Sequence, residues 1–480
     1  MKKYKAEPTL NHTQLVFGKC LSVFALVLGI FHLFQTYYMR YDSEGSAGLL
    51  SAELVLAALP VAGVVVFLLY SRYMASSTLP VIRRRVKEIM IPEQILLIVF
   101  FLWQLVCCAS ANDILSGKSF SYNWPTLLDI AVSFFIFFPL SAYLAGNLKK
   151  VSGILSPVLV AIITALMVYV LWNVFQNNVL STPSGGIGMT SRLNLVICTH
   201  YNTVGAYACV TALICVALAF RTPRIFLKPV YTLFALVHWV VLMLTQSRTS
   251  IIAAAFTISI GVLVILYMVL KPRTKLIMRL LISVAAAIIS VFILIKSRDW
   301  VFAFFESISH LSEQLAAQGQ QAADSLRKME VDNNIFARMD TWIVALKIMV
   351  LNVKRFLFGT SPVGVIPMLD YVGQTSNGWY THNQFLEMGV AFGVPGMLMY
   401  IGWLVLVARS CLRIGLGNSE SVSTADRVLP LIVLLLVVCN LTEGMLVGNT
   451  YMPGCVFFLL SGWVCVKART LPPISVKDLL

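Results

Sequence analysis

Apolar stretches about as long as a membrane-spanning helix recur along most of the chain. A helix needs about 20 consecutive apolar residues to cross the hydrocarbon core of a bilayer, and windows of that length predict twelve spans. The first window has no small-residue cleavage site after it, so we interpret it as a retained span rather than a signal peptide. The predicted spans lie at about 14–37, 49–70, 94–112, 124–146, 153–176, 200–220, 228–246, 250–270, 277–296, 384–408, 428–447 and 450–467.

One long polar segment interrupts this pattern between the ninth and tenth predicted spans, at residues 297–381. Apolar residues recur there at helical spacing over 300–326 and again over 335–358, where Gly359 ends the pattern. Both stretches predict amphipathic helices. The predicted organisation is therefore spans one to nine at 1–296, a large helical loop at 297–381, and spans ten to twelve with a short tail at 382–480.

Composition places the chain among all-α polytopic membrane proteins. Of its 480 residues, 59% are hydrophobic and 12% are charged, which leaves too little polar surface for a soluble globule. Most of the 36 lysines and arginines fall in alternate segments between the spans. Because basic residues favour the cytoplasmic side, both termini are predicted to be cytoplasmic and the large loop external. That loop carries seven basic residues against eight acidic ones, so the +15 net charge reflects topology and predicts no nucleic-acid surface.

A histidine marks the place where the polar segment meets the tenth span. His382 is followed by Asn383 and, one helical turn beyond, by Glu387. These neighbours are able to orient an imidazole ring and tune its protonation, as a general base requires. A lone histidine at the end of a span also has a purely structural interpretation.

Three arginines accompany this histidine on the predicted external side. Arg248 lies in a very short turn between the seventh and eighth spans, at a depth where a charge is usually paired or functional. Its alternative is snorkelling to lipid headgroups. Arg338 lies in the second loop helix with Trp342 four residues later on the same face, and a surface ion pair with Asp340 or Glu330 is its alternative. Arg192, ahead of the sixth span, has an ordinary solvated loop arginine as its alternative.

Arginines that converge at a membrane surface suit one kind of ligand. Guanidinium groups bind phosphate and diphosphate through two parallel hydrogen bonds, and the arginines are not accompanied by an Asp/His metal cluster. We therefore expect Arg192, Arg248 and Arg338 to hold the diphosphate of a lipid-linked donor without a metal ion. His382 would accept the proton of an attacking hydroxyl as the diphosphate leaves.

Four motifs occur in order along this part of the chain: Ser247-Arg248, Ala337-Arg338-Met339-Asp340-Thr341-Trp342, His382-Asn383-Gln384-Phe385-Leu386-Glu387-Met388-Gly389 and Gly393-Val394-Pro395-Gly396. With them the chain resembles the O-antigen ligase and polymerase superfamily. The resemblance covers roughly residues 190–410, and it includes the order of the motifs and the large loop between spans nine and ten.

The resemblance implies a metal-independent, inverting glycosyltransferase with a GT-C-like helical fold, no cofactor, and a role in cell-envelope polysaccharide biosynthesis. Such enzymes transfer a glycan from undecaprenyl diphosphate to a lipid, saccharide or protein acceptor at the outer face of the bacterial cytoplasmic membrane. It implies catalysis by His382, diphosphate binding by Arg248, Arg338 and Arg192, and no metal ligands. The implied supporting residues are Asn383, Glu387, Trp342, Asn202 and His200.

Two alternatives stay open. A repeat-unit polymerase of the same superfamily differs from a ligase only in its acceptor, and the sequence does not select between them. A transporter or flippase of lipid-linked sugars would also have many spans, but it should place ionisable groups near the middle of the membrane on broken helices. The few such groups here include Asp129 and Glu443, and both fall nearer the outer ends of their predicted spans.

Overall fold

The computed structural model describes residues 91–110, 123–139, single positions between 157 and 171, 201–245, 247–271, 274–308, 335–373, 381–417, 422–444, 447 and 452–472. The secondary structure of this part of the chain is helical. The helices are α1 (Pro92–Ser110), α2 (Trp124–Val132) with a π-helical turn at Ser133–Phe137, α3 (Tyr201–Arg221), α4 (Leu227–Thr245), α5 (Arg248–Leu270), α6 (Leu276–Ile308), α7 (Ile335–Met349), α8 (Val353–Phe358), α9 (Val365–Gly373), α10 (Gln384–Gly415), α11 (Thr424–Cys439) and α12 (Met452–Thr470).

Six of the described helices are long and apolar enough to cross a membrane, namely α1, α3, α4, α5, α6 and α10. The prediction of an all-α polytopic membrane protein is therefore confirmed. The total of twelve spans stays a prediction, and the first two predicted spans lie outside the described residues.

The segment between spans nine and ten differs from its predicted form in two places. Helix α6 continues past the expected boundary at residue 296 to Ile308, because no glycine or proline interrupts residues 276–308. The second predicted loop helix ends before Gly359 as expected, but it consists of two helices, α7 and α8. Asn352 separates them, because its side chain accepts a hydrogen bond from Arg355 N and caps a new helix.

Helix α10 is the central element, and α1, α7, α8, α11 and α12 pack against it. The core beside it is rich in aromatic side chains: Trp403 is fully buried and stacks on Tyr400, with ring centroids 6.4 Å apart. The rings of Phe457 and Phe458 lie 5.6 and 5.3 Å from that of Trp403. These contacts fix the position of α10, whose first residue is two positions after the candidate histidine.

A break at Gly393 divides α10. Gly393 has φ +72°, and Pro395 lacks the N–H that the carbonyl of Ala391 would need in a regular helix. The residues after α8 satisfy the freed carbonyls: Thr360 N donates to Val390 O at 2.8 Å, and Ser361 N donates to Ala391 O at 2.9 Å. The Gly393-Val394-Pro395-Gly396 motif thus creates the place where the chain after α8 joins α10.

Candidate active site

Glu443 lies at the centre of a polar cluster at the beginning of α10. It follows the turn after α11, where Asn440 O accepts a hydrogen bond from Gln384 N at 3.0 Å. This bond joins the end of α11 to the first residue of α10. Glu443 is 6% exposed, and a buried carboxylate requires partners for its charge.

Both carboxylate oxygens of Glu443 have partners from distant parts of the sequence. Arg338 Nη2 lies 3.0 Å from Oε1, and His382 Nδ1 lies 3.3 Å from Oε2. The side-chain amide of Asn202 donates a further short hydrogen bond of 2.5 Å to Oε1. The side chains of Arg338 and His382 are 25% and 28% exposed, so both partners are more accessible to solvent than the carboxylate that they contact.

His382 has a backbone conformation that is unusual for its residue type. Its φ is +49°, in the left-handed region where a non-glycine residue is strained. Thr381 supports this conformation, because its hydroxyl donates to Asn383 O at 2.9 Å and accepts from Asn383 N at 3.3 Å. Strain of this kind concentrates at sites that must hold a side chain in one place.

Asn383 has a different partner from the one expected. Its side-chain oxygen accepts hydrogen bonds from Phe385 N at 3.0 Å and Leu386 N at 3.1 Å, which makes it the N-cap of α10. It therefore positions His382 by starting the helix, while the ring contacts Glu443. Glu387 lies close to Gly444, where an added Cβ would be 2.5 Å from Oε2.

Arg338 and Trp342 lie on the same face of α7, as their spacing predicts. Arg338 Nη1 donates to Thr442 O at 2.8 Å, and Trp342 Nε1 donates to Thr381 O at 2.9 Å. The two side chains thus hold the residues that precede Glu443 and His382. Within the described residues Arg338 pairs with Glu443 rather than with Asp340, and Glu330, the other partner considered, lies outside them.

A second hydrogen-bond network joins the starts of α3 and α5. Ser247 Oγ donates to Asn202 Oδ1 at 2.7 Å, and Ser250 Oγ donates to the backbone oxygen of Asn202 at 3.1 Å. Gly205 permits this approach, because a Cβ there would lie 2.7 Å from Ser250 Oγ. Ser247 is also the N-cap of α5.

Arg248 is the first residue of α5 and projects outward from this network. Both of its neighbours are tied to the cluster: Ser247 bonds to Asn202, and the Thr249 hydroxyl accepts a bond from Thr442 Oγ1 at 3.1 Å. Arg248 itself is exposed, and within the described part of the chain no hydrogen bond or ion pair engages its guanidinium. It is therefore a cation beside the cluster that remains available to a ligand.

The structure brings together most of the residues selected from the sequence, and it adds one. Arg338, His382 and Asn202 all contact Glu443, whereas Arg192 and His200 lie outside the described residues. Glu443 was not among the sequence candidates. The available signal was an acidic residue inside a predicted apolar span, where an unpaired charge is costly.

Residues 230–401 match the family model described as O-antigen ligase. The matched range extends from α4 into α10 and includes Arg248, Arg338, Trp342 and His382. The match identifies an O-antigen ligase domain within the chain and supports the O-antigen ligase and polymerase superfamily. The comparison with curated proteins gives no match.

This domain supports the general class of the protein. The class is that of a membrane glycosyltransferase of the O-antigen ligase and polymerase family, for which the lipid bilayer and lipid-linked glycans are the general partners. The family and the membrane helices indicate a multi-pass protein of the bacterial inner membrane. Asn202 and Glu443 fall outside the matched range, so only the three-dimensional arrangement connects them with the O-antigen ligase domain.

Proposed function

We propose that this protein transfers a glycan from undecaprenyl diphosphate to an acceptor hydroxyl at the outer face of the cytoplasmic membrane. The reaction inverts the sugar's anomeric configuration and uses no metal ion. The proposal depends on one observation above all: buried Glu443 joins Arg338 to His382, next to the exposed Arg248. We also propose that the fold is GT-C-like, that both termini are cytoplasmic, and that the segment between spans nine and ten is external.

The donor diphosphate binds at Arg248 and Arg338. Arg248 offers its whole guanidinium, whereas Arg338 is held by Glu443 and Thr442 O and remains partly exposed. Planar guanidinium groups match the oxygen pairs of a diphosphate. Their charge stabilises the leaving group as the bond from the anomeric carbon to the phosphate oxygen breaks, and Arg192 supports the same group.

Glu443 gives His382 the form that a general base needs. The carboxylate is paired with Arg338 and is therefore an acceptor, so its neighbour Nδ1 carries the proton. That tautomer has its lone pair on Nε2, which takes the proton of the acceptor hydroxyl while the hydroxyl oxygen bonds to the anomeric carbon. The electrons of the broken bond leave with undecaprenyl diphosphate, so charge and atoms balance.

The apolar tail of the donor follows α5 into the membrane. Ile252 and Phe256 succeed Arg248 at intervals of four residues and are 64% and 48% exposed. Residues at this spacing share one face of a helix. A lipid diphosphate bound at Arg248 thus has an apolar stripe directly beneath its headgroup.

The test uses purified protein in lipid vesicles with an undecaprenyl diphosphate-linked oligosaccharide, candidate acceptors and EDTA. We expect release of undecaprenyl diphosphate in EDTA, and a rate lower by about 10²–10⁴-fold in His382→Ala because a general base is lost. The matched control is His238→Gln, since His238 is buried and contacts Thr164 away from the cluster.

Each result decides a separate part of the proposal. Loss of turnover in EDTA contradicts a metal-independent reaction, and full activity of His382→Ala removes the histidine from it. Glycan on a separate acceptor identifies a ligase. Lengthening of the lipid-linked glycan identifies a repeat-unit polymerase, and movement of unaltered donor across the vesicle identifies a transporter or flippase.

A further inference from the structure

Helices α7 and α8 descend alongside α10 from the candidate site. Trp342 Nε1 bonds to Thr381 O, just before α10 begins. Further along α7, Met349 Sδ would lie 2.7 Å from a Cβ at Gly389. The chain after α8 bonds to the carbonyls of Val390 and Ala391. Ala391 is seven positions after Gln384, which is about 10 Å along a helix that is itself a candidate membrane span.

The non-helical backbone that follows α8 is enclosed by protein. Thr360 and Ser361 are 0% and 2% exposed, and their N–H groups donate to the carbonyls freed by the break at Gly393. Irregular backbone occurs at membrane depth only where protein or a water-filled cavity surrounds it. The Gly359–Ser361 turn meets that requirement.

A second candidate span contacts the same place. The ring of Phe358, at the end of α8, stacks on that of Trp103 with centroids 5.4 Å apart. Trp103 lies in the interior of α1, and its Nε1 donates to Phe392 O at 3.0 Å. The end of α8 is therefore level with the interiors of two spans.

Within the part of the chain that the structure describes, the outward face of α7 and α8 is apolar and exposed. We call it the outer stripe: Met339, Ile343, Leu346, Val350, Val353 and Phe356, which are 42–75% exposed. Its first four members follow the helical spacing of one face, about a quarter turn around α7 from Arg338 and Trp342. Lys347 and Lys354 lie beside the stripe and are exposed.

We propose that residues 335–373 form a re-entrant segment seated in the outer leaflet. The outer stripe contacts phospholipid acyl chains, and Lys347 and Lys354 extend to the phosphates of the headgroups. A continuous row of large apolar side chains on an external, water-facing helix would be unfavourable, whereas in lipid it is favourable. The cations select phospholipid over a neutral protein surface. This inference is independent of glycosyl transfer.

The test places the photoreactive residue benzoylphenylalanine at Leu346 or Val350 of the full chain, reconstituted in vesicles of phosphatidylethanolamine and phosphatidylglycerol. After illumination we expect adducts of phospholipid mass at both positions. Control positions are Ala345, which is buried on the opposite face, and Arg224, which lies in the exposed turn between α3 and α4. Ala345 should link to the protein itself, and Arg224 should give far less lipid adduct.

Two results would overturn the proposal. One is cross-linking of Leu346 and Val350 to the same chain or to a second copy, and the other is an amount of lipid adduct no greater than at Arg224. A second measurement compares Leu346→Asp with Met339→Asp, which is nearer the start of α7. If Leu346 lies deeper in the lipid than Met339, Leu346→Asp should lower Tm more than Met339→Asp does. Equal tolerance of both changes would place the stripe in water.

Discussion

Two buried carboxylates stand at opposite ends of the helical bundle, and each is paired with an arginine. Glu93 of α1 lies 2.6 Å from Arg469 of α12, and Glu443 lies 3.0 Å from Arg338. The acids are almost equally buried, at 5% and 6% exposed. Burial and an arginine partner therefore do not by themselves distinguish a functional charge from one that joins two helices.

The two pairs differ in what else converges on them. The pair of Glu93 joins the start of α1 to the end of α12. Glu443 additionally contacts Asn202 and His382, whose backbone is strained, and it lies beside a cation exposed to ligand. Four chain segments converge on Glu443 and leave accessible side chains around a buried acid, and this difference is the basis for proposing catalysis at Glu443 and not at Glu93.

The largest expected contrast comes from the same change at both ends. Glu443→Gln removes the charge that holds Arg338 and sets the tautomer of His382, so we expect kcat to fall by about 10²–10³-fold, in the range of removing a general base or its orienting partner. Glu93→Gln breaks one ion pair, so we expect a lower Tm with kcat nearly unchanged. Turnover per folded molecule and thermal unfolding measure the two effects.

Glu443→Asp refines this contrast. It keeps the charge but shortens the side chain, so partial activity is expected if position and charge both matter. Equal loss of kcat in Glu443→Gln and Glu93→Gln would mean that both ion pairs act only by holding the bundle together. That result would contradict a separate role for Glu443 in turnover.

Local spacing and position in the sequence selected Arg338 and His382, and the structure brings both side chains to the same carboxylate, while their roles in catalysis stay a prediction. Arg338 and Trp342 are four residues apart on a helix, so they had to share a face, and His382 directly preceded an apolar helix. The same local logic identified Gly359 as a helix end. It did not reveal the second helix start at Asn352, because one cap inside an apolar pattern is a weak signal.

Glu443 shows where such reasoning stops. Its partners are more than 60 residues away in sequence, and nothing near it suggests them. In sequence it was one of a few scattered charges in apolar spans and contributed only to the comparison with transporters. The break at Gly393 likewise acquires its meaning from Thr360 and Ser361, which only the fold brings to it.

Arg248→Gln tests the exposed cation beside the Glu443 cluster. Because no hydrogen bond or ion pair engages the Arg248 guanidinium in the described part of the fold, Tm should change little. We expect donor KM to rise about 10–100-fold, since a hydrogen bond to a charged group contributes about 1.5–3 kcal/mol. The control is Arg224→Gln, an exposed arginine in the turn between α3 and α4. An unchanged donor KM would leave Arg248 as a lipid-snorkelling residue.

The smallest expected effect separates the Asn202 network from general packing. In Gly205→Ala the new methyl group would lie 2.7 Å from Ser250 Oγ and 3.0 Å from Ser247 Cβ, so the serines that hold Asn202 must move. We expect kcat to fall about three- to tenfold, which corresponds to roughly 1 kcal/mol of transition-state stabilisation. Gly402→Ala is the matched control, because its nearest contact would be an ordinary 3.8 Å to Leu96. If both variants lose kcat equally, tight packing of α3 is general to the bundle, and the bond from Asn202 to Glu443 has no separate influence on turnover.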